Sequence, residues 1–180
     1  MHRKPLLNLL MNYQPVDEDE RRMLEQTIQF VHTHADCFER HLSVGHVTGS
    51  AWIVSPDRRQ VVLLHHAKLD RWFQPGGHAD GDPDVLAVAL REAEEETGLL
   101  ELKVVSSAIF DVDVHTIPAR ATEPEHLHYD IRFMLEAATD SPFIKTRETK
   151  DVRWVNCSEI ENLTSEKSIL RMKSKINADN

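Results

Sequence analysis

The spacing of apolar and polar positions divides the chain into a helical beginning, a strand-rich middle and a helical end. Over residues 1–42, Met23, Leu24, Ile28, Val31 and Cys37/Phe38 recur near helical spacing. Asp17 to Glu20 supply the negative charge that suits a helix N-terminus. This stretch is expected to be a helical extension that packs on the rest of the chain, with a lid or a contact between two copies as its other roles. From His46 the pattern becomes that of strands: HVTGSAWIVS, a turn at Ser55–Arg59, then QVVLLHH. Further strands are expected in KVVSSAIFDVDVHTIP (103–118), HLHYDIRFMLEA (126–137) and DVRWV (151–155). Between them, residues 82–97 read as one helix, and Ser158 to about Lys175 as one or two, with Ile160, Leu163, Ile169, Leu170 and Met172 facing inward. Strands around one central helix, with another at the end, predict an α/β fold, an α/β/α sandwich on a mixed sheet. The expected division is an extension over 1–42 and one domain over 43–180.

Composition narrows this picture. The chain has 180 residues, 41% hydrophobic and 28% charged, the balance of an ordinary globular protein. A net charge of −9 with no long basic tract argues against nucleic acid or a membrane surface as partner. Cys37 and Cys157 are too few and too far apart for a disulfide framework, which suits a reducing cytoplasm. The short apolar patch after the basic N-terminus lacks the length and cleavage site of a signal peptide, and no run reaches transmembrane length.

The chemistry is concentrated in residues 77–99, GHADGDPDVLAVALREAEEETGL. At about 100° per residue, Glu92, Glu95 and Glu96 fall within one third of a helix circumference. Like charges so crowded repel unless a cation or a proton sits among them. Oxygen ligands on a rigid element suit a hard divalent ion, Mg²⁺ or Mn²⁺, which also accepts phosphate oxygens. A Glu-rich helix end is more often only a solvated face. Here the surroundings favour the metal: two glycines precede the helix, Arg91 stands directly before Glu92, and Gly98 lies at helix-stop distance.

With these residues in place the stretch resembles the Nudix box: Gly, five residues, Glu, seven residues, Arg-Glu, an apolar residue, any residue, Glu-Glu, any residue, Gly, apolar. Gly77, Arg91, Glu92, Ala93, Glu95, Glu96, Gly98 and Leu99 fit without a gap; the first Glu of the pattern is replaced by Pro83. The replacement bears on anchoring of the helix more than on metal. Asp82 as N-cap, Pro83 at the first helical position and Asp84 near the positive dipole end offer a substitute start, and Asp80 or Asp84 a salt bridge to Arg91. The resemblance covers about residues 45–175 and implies the α/β/α sandwich and a hydrolase of diphosphate linkages. The substrate would be a small phosphorylated metabolite or nucleotide, a nucleoside diphosphate linked to another group or a nucleoside triphosphate. It implies metal ligation by Glu92, Glu95, Glu96 and a loop carbonyl, of Gly76 or Gly77, and a base in Glu92 or Glu148. Arg91 would orient Glu92 or its neighbour, and bound metal would neutralise phosphate charge and activate water. Family members are often dimers, so a homodimer is an open expectation. Two other readings stay open: a domain of this family that senses a nucleotide without cleaving it, and an isopentenyl-diphosphate isomerase. The isomerase reading needs an active-site Cys, and neither Cys37 nor Cys157 lies near the box; sensors typically lose box carboxylates, and here all three remain.

Other residues suit the substrate side. His78 follows the glycines and can reach a phosphate or simply face solvent. Asp111, Asp113 and His115 alternate along one expected strand, and His126, His128 and Asp130 along the next. If the strands pair, these residues line one surface: a solvent face, a substrate cleft, or a place for another metal ion of the Mn²⁺ or Zn²⁺ kind. Trp72 can stack on a base or pack in the core. The segments HTIP (115–118) and HLHYDIRF (126–133) are similar to those of a bacterial Nudix subgroup.

Overall fold

The computed structural model describes residues 2–67, 69–119, 124–144 and 149–178. Two helices open the chain, α1 (Lys4–Asn12) and α2 (Glu18–Thr33). Asp17 caps α2, its side chain accepting from the Glu20 amide at 2.7 Å, so the negative run sits where the dipole favours it. The sheet is built from β1 (Gly45–Val54), β2 (Gln60–His66), β3 (Trp72–Phe73), β4 (Gly76–His78), β5 (Lys103–Val104), β6 (Asp111–Ile117), β7 (His126–Glu136) and β8 (Thr149–Asn156). Helix α3 (Val85–Thr97) lies between β4 and β5; a 3₁₀ turn (Cys157–Glu159), α4 (Ile160–Leu163) and α5 (Lys167–Ala178) close the chain.

β1 is the axis of the sheet. Along its whole length it pairs in parallel with β7, Gly45 to Val54 against Leu127 to Glu136. Its other edge meets β2 only at Val54–Val61, and beyond that point the two strands part. The short β3 and β4 fill the opening: β3 extends the ladder of β2, and β4 pairs antiparallel with β1 at Thr48–His78, Gly49–Gly77 and Ser50–Gly76. β6 and β5 pair with β7, and β8 with β2, all antiparallel. The sheet is therefore mixed, as expected. The stretch expected as one strand over 103–118 is two, because residues 105–110 leave the ladder.

β1 is buried throughout, so both faces of the sheet are covered. The face carrying Val47, Gly49, Ala51 and Ile53 takes α1, α2 and α3. Leu6, Leu10, Leu24, Phe30 and Val31 pack there with Val47, Val85, Ile131 and Phe133, and Ala93 and Leu99 pack with Ala51 and Ile53. The N-terminal helices thus share the core of the sheet, which is the packing role expected of them. On the opposite face, Trp52, Val54, Leu63 and Met134 meet Ile169, Met172 and Ile176 of α5. The other end of that face, from His46 to Ser50, is polar. Among the described residues, no helix is long and apolar enough to cross a membrane.

Candidate active site

Helix α3 begins later than its sequence suggests. Its N-cap is Asp84, which accepts from the Ala87 amide at 3.1 Å; Asp82 instead accepts from the Asp84 amide at 2.9 Å, closing a turn before the helix. Pro83 therefore belongs to the turn and not to the first helical position. Two local side-chain bonds fix the entry, and a capping side chain of this kind is worth about 1 kcal/mol. The helix ends at Gly98, whose φ of 76° is the left-handed cap that glycine adopts without strain.

Strand β4 brings the glycines against the acidic turns of α3. The Gly76 amide donates to Oε2 of Glu96 at 2.8 Å. Gly77 lies under Glu92: a Cβ added there would stand 2.3 Å from its Oε2. Arg91 donates to the carbonyl of His78 at 2.9 Å and to Oε1 of Glu92 at 3.0 Å, so one guanidinium holds both the strand and the carboxylate. The expected salt bridge from Asp80 or Asp84 to Arg91 is not formed. Asp80 binds Arg40 in a two-point pair of 2.5 and 2.6 Å, tying the loop before α3 to the segment after α2, while Asp84 is the helix cap. Burial raises the pKa of Glu92 above the ordinary carboxylate range against the opposing pull of Arg91, and the charge of Glu95 adds to the rise. Glu95 itself is exposed. Two carboxylates, Glu92 and Glu96, set against a strand whose Gly77 leaves open the space a side chain would fill, are oxygen donors of the kind a hard divalent cation takes.

Around the corner of β4, on the polar face, the register delivers the surface that the alternating residues foretold. Asp113 faces Asp130, His115 faces His128, and Asp111 faces Arg132 across β6 and β7. It is not a solvent face: Asp111, Asp113, Asp130 and Arg132 are buried. Asp130 accepts from Thr48 at 2.9 Å, Ser50 at 2.7 Å, Gln74 at 3.2 Å and the Arg132 Nε at 2.7 Å. Arg132 also reaches Asp111 at 3.0 Å and Asp113 at 3.3 Å. Burial works against ionised Asp111 and Asp113, yet both are held below the usual carboxylate range. For Asp111 the cations are Arg171, Arg132 and Lys175; for Asp113 they are Arg132 and Arg171, with His115 adding a hydrogen bond. From the helices, Lys175 bonds Glu20 and Asp111 at 2.5 Å each, joining α2, β6 and α5 through one buried ammonium.

Toward the open end of the same face the acids give way to histidines. His46 Nε2 and His128 Nε2 are 3.1 Å apart, and the ring of His78 lies 4.9 Å from that of His46 and 5.0 Å from that of His128. The rings of His126 and His115 stand 5.3 and 5.4 Å from His128. Burial, with the neighbouring rings, lowers the pKa of His46 to about 4 and of His128 to about 2, so both are neutral near pH 7.

The expected residues thus form two groups. Gly77, Arg91, Glu92 and Glu96 meet where β4 crosses α3, and His78, Asp113, His115, His126 and His128 share the polar face. Trp72 is engaged elsewhere on the sheet, stacked on His65 at 4.8 Å with the guanidinium of Arg153 4.5 Å from its ring. Glu148 lies outside the described residues. His46, Arg132, Arg171 and Lys175 were missed by the sequence reading. Only the even spacing of His46, Thr48 and Ser50 along one strand hinted at the face they share.

Comparison with known proteins bears on family and fold. A family model described as the NUDIX domain matches residues 45–173. A protein of Lactococcus lactis subsp. cremoris named "Probable DHNTP pyrophosphohydrolase" is 30% identical over 92 residues, which are 50% of this chain and 53% of that protein. The chain thus spans about half the length of the curated relative it matches. Among solved structures, an Ap4A hydrolase of C. elegans in a binary complex superposes with a TM-score of 0.60 at 14% identity, covering 74% of this chain and 96% of that one. A Nudix hydrolase of M. smegmatis, RenU, gives 0.56 at 18% identity, covering 75% and 86%. At such identities the structural likeness speaks for the fold, and the family model, spanning more than half of the sequence, speaks for descent: the chain belongs to the Nudix hydrolase family.

Proposed function

We propose that the protein is a divalent-metal-dependent pyrophosphohydrolase that cleaves a diphosphate linkage in a nucleotide or a small phosphorylated metabolite. The observation that carries this reading is the joint placement of Glu92 and Glu96 against β4, one beside the open cradle of Gly77 and the other bonded to the Gly76 amide. Glu92, Glu95, Glu96 and the carbonyl of Gly77 would hold Mg²⁺ or Mn²⁺. When bound, the cation supplies charge neutralisation at the diphosphate and acidifies a water for attack.

The chain's own groups divide the remaining tasks. Arg91 fixes the orientation of Glu92 through its bond to Oε1. Glu92, oriented by Arg91 beside the Gly77 cradle, would accept a proton from the attacking water. Glu148 is a second candidate for that role. His78, Asp113, His115, His126 and His128 would line the substrate side, on the polar face shared by β4, β6 and β7. All three box carboxylates are retained, which favours catalysis over nucleotide sensing. The test is a panel of nucleoside triphosphates, including that of the relative named for DHNTP, dinucleoside polyphosphates such as Ap4A, ADP-ribose and nucleotide sugars, each with Mg²⁺ or Mn²⁺. Products are identified by mass. Cleavage between phosphorus atoms supports the reading, and binding without cleavage across the panel supports the sensor instead.

A further inference from the structure

We infer that His46, His78 and His128 form a second metal site, specific for a transition ion of the Zn²⁺ class and distinct from the carboxylate site of α3. One ring nitrogen from each of the three lies within 4.8 Å of the other two. They come from three strands, β1, β4 and β7, whose pairing fixes their backbones: Thr48 opposes His78, and His46 opposes His128. The site is therefore carried by the centre of the sheet and not by a mobile side-chain cluster.

Two features favour an ion over a packing arrangement of rings. Two Nε2 atoms face each other at 3.1 Å, and ligands about 2.0–2.1 Å from a tetrahedral ion stand about 3.4 Å apart, so this pair is already at the spacing of two bonds to one centre. His46 is 2% exposed, so the nitrogen it turns to His128 is shielded from water and available to a ligand shared by the two rings. Three imidazoles with no carboxylate among them favour Zn²⁺ over Mg²⁺, which prefers oxygen. Three protein ligands also leave a fourth position for water or an anionic oxygen.

The site is separable from the proposed hydrolase activity because its donors are imidazoles and its test is binding. Chelator-stripped protein is saturated with Mg²⁺ and titrated with Zn²⁺ by calorimetry, and in parallel with Co²⁺ by visible absorption. One ion per chain, with the intense visible bands of four-coordinate Co²⁺, is expected. His46→Gln and His128→Gln should each weaken Zn²⁺ binding at least 10-fold, whereas the double variant Glu92→Gln/Glu96→Gln should keep it within 2-fold. Absence of Zn²⁺ binding, or octahedral Co²⁺ bands, in the unmodified chain would overturn the assignment even if the histidine variants fail to fold. So would loss of binding in the glutamate variant together with its retention in the histidine variants. Loss of diphosphate hydrolysis in every preparation would leave the Zn²⁺ result standing and count against the proposed function alone.

Discussion

Gly77 and Glu92 occupy adjoining space so closely that a single methyl group on the glycine would stand 2.3 Å from the carboxylate. The atoms it would meet are the far end of a flexible side chain. A Gly77→Ala chain should therefore fold, with Glu92 pushed from its place beside Arg91. Displacement of an acting group by about 1 Å costs on the order of 10²-fold in rate. Steady-state kinetics with the substrate found in the panel should show that loss, while the melting temperature stays within a few degrees. Unchanged kcat/KM would show that the position of Glu92 does not matter.

The buried cation of β7 makes a different prediction. Arg132 is 2% exposed and is shared by Asp111, Asp113 and Asp130. Arg132→Met removes the cation and leaves the three carboxylates facing one another. Breaking a buried ionic group on one side typically costs about 3–5 kcal/mol. Urea denaturation should report a loss of that size, and a change below 1 kcal/mol would mean that Arg171 and Lys175 suffice.

Acid should act through the same cluster. Asp113 is held below the ordinary carboxylate range, so the unfolded chain takes up its proton at a higher pH than the folded one. The stability this contributes is complete above about pH 5 and is lost as pH falls through the ordinary carboxylate range toward the folded value. The charged and titratable groups facing Asp113 are Arg132, Arg171, His115 and, across the strand pair, Asp130. In Asp113→Asn that contribution is absent, so the stability gap between wild type and variant should be widest near pH 7 and narrow below about pH 4. Denaturation curves at pH 7, 5 and 3.5 would reveal it, and a gap independent of pH would contradict the argument.

Much of this site could be read from local spacing. Glu92, Glu95 and Glu96 are neighbours on a helix by geometry alone, and Gly98 stops that helix where its φ demands. Alternation placed Asp113 with His115 and His128 with Asp130, and the pairing of β6 with β7, left open by the sequence, joins them. What escaped depended on contacts between distant segments. β3 and β4 are two and three residues long around Pro75, too short to show a period, so His78 read as a loop residue. His46 meets His128 only because β1 and β7 run parallel, a pairing between residues 82 positions apart. Glu20, Arg171 and Lys175 have the spacing of solvated helix faces, and only the closure of α2 and α5 over β6 buries them. α3 starts two residues later than the sequence suggests because Asp82 and Asp84 have the same capping chemistry, and it is Asp84 that caps the helix.

The central claim, that the carboxylates of α3 make a metal-dependent active centre, is tested most directly by titrating turnover of a diphosphate substrate with Mg²⁺ in wild type and in Glu96→Gln. The substitution removes a charge while keeping an oxygen that can accept from the Gly76 amide, so the fold should be retained, as circular dichroism and melting would verify. The account predicts saturable Mg²⁺-dependent hydrolysis in wild type and turnover lowered by at least about 10²-fold in the variant, the scale of losing one electrostatic group at a reacting centre. Near-normal turnover in folded Glu96→Gln, or hydrolysis by wild type that persists unchanged in excess chelator, would contradict it.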